Sequence, residues 1–130
     1  MAESSKPVRI DASLLSMYIE ALGAIGWQPQ GGIVRPVYSP TWMQAREQLA
    51  EWMRAADLEV YGDAAGNLFG RLRGSEEGGT LLTGSHLDTV PFWGKFDGAL
   101  GILAGLVALR EQAGRTMPAR RRWTCGATRC

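Results

Sequence analysis

The residues best suited to chemistry lie in one short stretch of the chain. His86 is the only histidine among 130 residues, and it stands two positions before Asp88 and eleven before Asp97. An imidazole nitrogen is a good ligand for zinc or manganese, and a nearby carboxylate can orient the imidazole ring. These residue types and their spacing therefore predict part of a metal site.

Each of these residues also has an ordinary structural explanation. A single histidine at the end of a strand is more often a hydrogen-bonded structural residue than a metal ligand. Asp97 could be only a helix N-cap, and Asp88 with Thr89 could belong to a polar loop. Their joint occurrence on one strand, loop and helix favours the metal site.

The elements around these residues explain how they would meet. The apolar segment 80–85 predicts a strand that ends at His86, so His86 and Asp88 leave it on the same face. Ligands bind at the carboxyl ends of strands in open α/β sheets. Asp97 and Gly98 open a predicted helix over 99–111, apolar almost all round and therefore buried. From the start of that helix, a carboxylate can bridge two cations.

The remaining pattern predicts an α/β fold. Asp11 is expected to cap a helix that extends to Gly23, and Ser39 with Pro40 starts a second helix that extends to about Ala56. Strands are predicted over 58–61 and 67–72, and the two are candidates to pair. After the helix at 99–111, an α/β fold should continue with another parallel strand.

Composition excludes several classes of protein. A chain of 130 residues has the length of a single domain. Its formal net charge of +1 gives no electrostatic reason to expect nucleic acid or membrane partners. The longest apolar run, 99–109, is too short to cross a bilayer. Both cysteines lie in the last six residues, so no disulfide framework is predicted and a reducing, cytoplasmic location is expected.

The composition changes abruptly near Pro118. Residues 119–130 contain four arginines, both cysteines and no aliphatic run, which predicts a poor core strand. We expect residues 1–118 to form the domain and residues 119–130 to be a truncated or frame-shifted end. A basic tail that binds nucleic acid is a weaker alternative, because the arginines show no repeated pattern.

The sequence resembles a known family. G-S-H-L-D-T-V-P followed by G-K-F-D-G-x-L-G-x-L-A-G-L is similar to the M20 family of metal-dependent amidohydrolases. The similarity is greatest to the branch with N-carbamoyl-L-amino-acid hydrolase and allantoate amidohydrolase. It covers roughly residues 9–113 and includes the upstream segments 38–40, 51–53 and 63–68. The resemblance implies the N-terminal part of an M20-type α/β/α catalytic domain, truncated before its sheet is complete.

The resemblance also implies roles for the three residues. His86 would be a ligand of one metal, Asp97 would bridge two, and Asp88 would be the active-site aspartate that supports the histidine. Family members hydrolyse a C–N bond with two divalent ions, zinc, manganese or cobalt, and a glutamate base. The substrate would be a small ureido or N-acyl amino acid. A homodimer would be expected only with a further dimerisation domain.

The chain departs from this family pattern in two ways. Phe92, Trp93 and Gly94 replace a small residue and two glycines, so the loop before Asp97 should be bulkier. The Glu-Glu pair expected soon after Pro118 and the later histidine ligands do not occur. We therefore expect this chain by itself to be inactive, and to be unstable or to aggregate because sheet edge and helix surface would be uncovered.

Two alternatives stay open from the sequence. One is a fragment of an M20 dipeptidase or N-acyl-amino-acid hydrolase, against which the K-F-D-G form of the second motif argues. The other is a non-catalytic chain, either the product of a degraded gene or a small interaction module.

Overall fold

The structure contains three helices and four strands in an α/β arrangement. It is a computed structural model that describes residue 7, residues 9–114 and residues 122–128. In chain order the elements are α1 (Ala12–Ala24), α2 (Pro40–Ala55), β1 (Glu59–Gly62), β2 (Leu68–Leu72), β3 (Thr80–His86), α3 (Ala99–Ala113) and β4 (Arg122–Thr128). The predicted α/β class is confirmed, and the predicted elements are found within a few residues of their expected bounds.

The first two helices begin where their capping residues predict. The Asp11 carboxylate accepts a hydrogen bond from the backbone N–H of Leu14 at 3.0 Å. The Ser39 hydroxyl oxygen accepts one from the N–H of Trp42 at 3.2 Å, and Pro40 occupies the first turn. Each cap satisfies an amide that the helix itself leaves without a partner.

The four strands form one mixed sheet in the order β1-β2-β4-β3. β1 pairs antiparallel with β2, as the sequence suggested, and β2 pairs antiparallel with β4. β3 and β4 are parallel and joined through α3, which confirms the expected parallel strand after this helix. His86 lies at the carboxyl end of β3 opposite Thr128, so it projects from the end of the sheet where ligands are expected.

The helices cover one face of the sheet. Gly70 of β2 faces Met53 of α2, and its cross-strand partner Cys125 contacts Ile102 of α3. Since paired residues share a face, α2 and α3 lie on the same side, and α1 packs against α3. The core between these layers includes Trp42, with Trp52 packed against it, and most of α3, which is buried as predicted.

The expectation that the end of the chain makes a poor core strand is wrong for residues 122–128. They form β4, which lies between β2 and β3 and buries Thr124, Cys125 and Ala127. Space explains this. A Cβ at Gly105 of α3 would lie 3.2 Å from the Cys125 sulfur, so the helix approaches too closely for a long aliphatic side chain. Residues 119–121 and 129–130 lie outside the described residues, and a truncated or frame-shifted origin stays a prediction.

The burial of Cys125 gives a direct test of this strand. Burial raises the pKa of the Cys125 thiol to about 12, which suppresses the reactive thiolate. In a Cys130→Ser variant we expect a thiol reagent at pH 8 to label Cys125 at least ~100-fold more slowly than in the urea-denatured protein, because labelling requires opening of the sheet. Labelling at the denatured rate would show that β4 does not form.

The sheet ends at β3, whose outer edge has no partner strand among the described residues. Leu82 is 69% exposed on this strand, whereas α3 exposes chiefly Leu100, at 42%. The more exposed of these apolar side chains therefore lies on β3, on the sheet face opposite the helices, and not on α3. No helix in the described part of the chain has the length and apolarity needed to cross a membrane.

Candidate functional site

The three residues singled out from the sequence meet at the end of β3. His86 is partly buried, and its Nδ1 lies 2.8 Å from the backbone carbonyl oxygen of Asp88. The Asp88 carboxylate is farther away, with Oδ1 at 3.7 Å from the same nitrogen. The Asp88 main chain, more than its side chain, therefore holds the ring in place.

The other imidazole nitrogen faces Asp97. A carbonyl oxygen only accepts hydrogen bonds, so the contact with Asp88 requires a proton on Nδ1 and leaves a lone pair on Nε2 in the neutral ring. This Nε2 lies 3.8 Å from Oδ2 of Asp97. That separation is too long for a hydrogen bond but suits two ligands about 2.0–2.2 Å from one shared cation.

His86 and Asp97 thus fit as two ligands of a divalent cation, although they do not complete a site. Within residues 9–114 and 122–128, no group of three or more histidine, cysteine, aspartate or glutamate side chains could hold a metal ion. A stable zinc site uses at least three protein ligands. The described residues therefore provide at most two ligands for such a centre.

The hydrogen bond to Asp88 predicts the tautomer of His86. The neutral ring should carry its proton on Nδ1, because Nδ1 faces a carbonyl acceptor. Long-range ¹⁵N–¹H NMR spectra of the neutral ring will show this, and the signals are readily assigned because His86 is the only histidine. A ring that is mainly protonated on Nε2 would contradict the geometry of the site.

Gly98 places Asp97 opposite the histidine. It has φ 68° and ψ −49°, and the N–H of Ala99 donates to the Asp97 carbonyl oxygen at 2.7 Å, which closes a γ-turn. A Cβ at Gly98 would lie 2.3 Å from the His86 carbonyl oxygen and 2.6 Å from its ring. The N-cap residue of α3 is Gly98 and not Asp97, so the alternative that Asp97 is only an N-cap loses support.

Arg35 was not identified from the sequence, yet it is the buried cation behind the site. It is only 1% exposed, and its guanidinium donates to the carbonyl oxygens of Leu22 and Ile25 at the end of α1 and of Leu87 beside His86. Burial lowers the pKa of Arg35 to about 10, and the negative charge of Asp88 opposes this shift. Arg35 therefore stays charged at neutral pH. The available signal was an arginine inside the apolar segment 33–37.

Thr89 joins the same support. The backbone N–H of Arg35 donates to the Thr89 hydroxyl oxygen at 3.0 Å. In return, the backbone N–H of Thr89 donates to the Arg35 carbonyl oxygen at 3.0 Å. The Thr89 hydroxyl also donates to the carbonyl oxygen of Ile33 at 3.3 Å. These bonds fix the segment 87–89 on 33–35, and thereby the carbonyl of Asp88 that holds His86.

The loop between His86 and Asp97 has the bulk that its sequence predicted. Phe92 and Trp93 are 57% and 53% exposed, and Phe92 has a φ of 62°. The loop is attached at its middle, where the N–H of Ile33 donates to the Trp93 carbonyl at 2.8 Å. Two exposed aromatic rings therefore belong to the loop that joins His86 to Asp97.

Comparison with known proteins identifies clear relatives. No protein-family model matches the chain. An N-carbamoyl-L-amino acid amidohydrolase from Geobacillus stearothermophilus is 49% identical over 86 residues, which are 65% of this chain and 21% of that protein. An allantoate amidohydrolase from Bacillus subtilis is 42% identical over 95 residues, 72% of this chain and 23% of that protein.

The fold gives the same relationship. A crystal structure of a hydantoinase/carbamoylase family amidase from Burkholderia ambifaria superposes with a TM-score of 0.88 at 34% identity, and covers 92% of this chain and 30% of that one. The chain spans about a fifth of the length of the curated relatives it matches.

Proposed function

This chain is a member of the amidohydrolase family that includes the N-carbamoyl-L-amino-acid and allantoate amidohydrolases, and on that premise we propose that His86 and Asp97 are metal ligands of such a hydrolase. The reaction would be hydrolysis of a linear amide or ureido C–N bond in a small N-carbamoyl amino acid or in allantoate. The observation that carries this proposal is the 3.8 Å separation between Nε2 of His86 and Oδ2 of Asp97, which face each other without a hydrogen bond.

The chemistry requires a centre of two divalent cations, zinc, manganese or cobalt. When bound, such cations polarise the scissile carbonyl and lower the pKa of a water molecule. His86 would hold one cation through Nε2, and Asp97 would bridge both. Asp88 would be the active-site aspartate, which fixes the histidine tautomer through its carbonyl and adds negative charge nearby.

We further propose that this chain by itself does not turn over substrate. It contains no second histidine, and no aspartate or glutamate follows Glu111. A proton acceptor and further ligands would have to come from residues outside this chain. A cytoplasmic location belongs to the same proposal, which rests here on the position of both cysteines in the last six residues and the resulting lack of a disulfide framework. A homodimer formed only with a further dimerisation domain is also part of the proposal.

The experiment combines metal binding with an assay. Titration with zinc, manganese and cobalt should show weak binding that is lost in His86→Ala and Asp97→Asn. Asp57→Asn serves as the matched control, since Asp57 is an exposed aspartate outside the site. Assays with N-carbamoyl amino acids and allantoate should show no hydrolysis. Binding that survives both site variants would refute the metal assignment, and metal-dependent turnover would refute inactivity.

The second candidate is a dipeptidase or N-acyl-amino-acid hydrolase of the wider family, which would use the same two ligands. Both named relatives act instead on carbamoyl or ureido compounds, as their names state. A non-catalytic product of a degraded gene is the third possibility. The coding DNA downstream distinguishes it, because missing Glu-Glu and histidine segments in another frame would indicate a disrupted gene.

A further inference from the structure

We propose that the end of the sheet opposite the metal ligands binds a doubly charged oxyanion of the phosphate type. Three arginines, Arg71, Arg73 and Arg122, line a cavity of about 300 Å³ there together with Glu59 and Gly74. This site does not depend on the proposed hydrolase function, because it shares no residue with the metal ligands.

Strand register brings the arginines together. Arg71 of β2 pairs with Glu59 of β1 on one side and with Thr124 of β4 on the other. Leu72 and Trp123 are the last paired residues of β2 and β4 at this end of the sheet. Arg73 follows Leu72 in the chain and Arg122 precedes Trp123, so both lie next to this pair. Side chains two positions apart on a strand share a face, so all three guanidinium groups project from the same side of the sheet.

That side is the face opposite the helices. The register partners Gly70 and Cys125 face α2 and α3, so their neighbours Arg71 and Thr124 face away from them. Arg122 also lies opposite Thr80 at the start of β3, whereas His86 ends that strand. Six residues of strand separate the cavity from the metal ligands by about 20 Å.

The charges of the cavity suit a dianion. Glu59 neutralises one arginine, since its carboxylate pairs with Arg73 Nε at 3.2 Å. The four charged lining residues then carry a net charge of +2. Guanidinium groups bind the oxygens of phosphate-type anions through paired N–H donors, which favours an oxyanion over chloride.

Two buried polar groups beside the cavity lack hydrogen-bond partners in the described part of the chain. They are Nε of Arg71 and the hydroxyl of Thr124, on adjacent strands. Nη2 of Arg71 donates to the Tyr61 hydroxyl oxygen at 3.0 Å. The Arg71 guanidinium lies 4.6 Å from the centre of the Tyr61 ring. An oxyanion that draws this guanidinium into the cavity would give its Nε–H a partner and remove the cost of an unsatisfied buried donor.

Phosphate titration followed by ³¹P NMR line broadening and by thermal unfolding tests the proposal. We expect saturable binding of inorganic phosphate that sodium chloride at equal ionic strength does not reproduce. The paired change Arg73→Gln with Arg122→Gln should weaken binding by about tenfold or more, because it removes two charged donors. Arg54→Gln is the matched control, since Arg54 is an exposed arginine on α2, and should change binding less than about twofold.

A variant that is expected to strengthen phosphate binding excludes misfolding as the explanation for the weaker binding of the double variant. Glu59→Gln removes the competing carboxylate and should tighten phosphate binding severalfold. Glycerol phosphate in place of inorganic phosphate distinguishes a phosphate ester from the free ion as the preferred ligand. Stabilisation equal to that by chloride, or phosphate binding that is unchanged in the double variant, would overturn the proposal.

Discussion

Replacement of Arg35 by methionine is expected to lower the free energy of unfolding by about 3–5 kcal/mol. The change would remove hydrogen bonds to three carbonyl oxygens, of Leu22, Ile25 and Leu87, in a place that is only 1% exposed for the arginine itself. Hydrogen bonds from a charged donor contribute more than neutral ones, and the carbonyls left behind would be desolvated without partners. The attraction between the Asp88 carboxylate and the Arg35 guanidinium would also be lost.

Urea denaturation followed by tryptophan fluorescence measures this effect. If the loss exceeds the stability of the chain, the cooperative transition will disappear. Arg35→Lys keeps the charge but not the planar fork of donors, so we expect an intermediate loss. Arg54→Met, on the exposed side of α2, is the control and should change stability by less than about 0.5 kcal/mol. A loss below about 1 kcal/mol for Arg35→Met would show that this network does not hold the site segment.

The second large effect is expected from Gly98→Ala. The added methyl group would lie 2.3 Å from the His86 carbonyl oxygen, at a backbone position with φ 68°. Relief requires a shift of either β3 or the start of α3, and we expect a loss of about 2–4 kcal/mol. The same shift would separate His86 from Asp97, so divalent cation binding should weaken by about tenfold or more.

Gly94→Ala provides the matched control for this prediction. Gly94 lies in the same loop, has no positive φ, and has nothing within 4 Å of an added Cβ. It should leave stability unchanged or slightly raised, because alanine restricts the unfolded chain. Equal stability and equal metal affinity in Gly98→Ala would show that the γ-turn does not place Asp97.

Local signals in the sequence were sufficient for most elements. Asp11 and Ser39 with Pro40 mark the starts of α1 and α2, since capping depends on residues within one turn of the chain. The apolar segment that ends at His86 and the apolar helix after Gly98 likewise predicted β3 and α3. These patterns are recognisable because each depends on neighbours in the chain.

The wrong prediction at β4 has a physical reason that lies in contacts between distant parts of the chain. A strand was discounted at 122–128 because it lacks an aliphatic run, yet this strand pairs on both sides and lies beneath a helix that approaches closely at Gly105. Small residues such as Cys125 and Ala127 are then the ones that fit. Composition alone does not reveal how near a partner helix will come.

The sequence by itself indicated the proposed metal-dependent chemistry, because residue types and spacing limit it: one histidine with Asp88 and Asp97 on a strand, loop and helix. Tertiary structure alone decided the geometry. It turned Nε2 of His86 toward Asp97, assigned the support of the ring to the Asp88 main chain, and placed Arg35 behind both. Arg35 is 52 positions from Leu87 in the chain. Contacts over such distances depend on how the layers pack, and no local pattern encodes them.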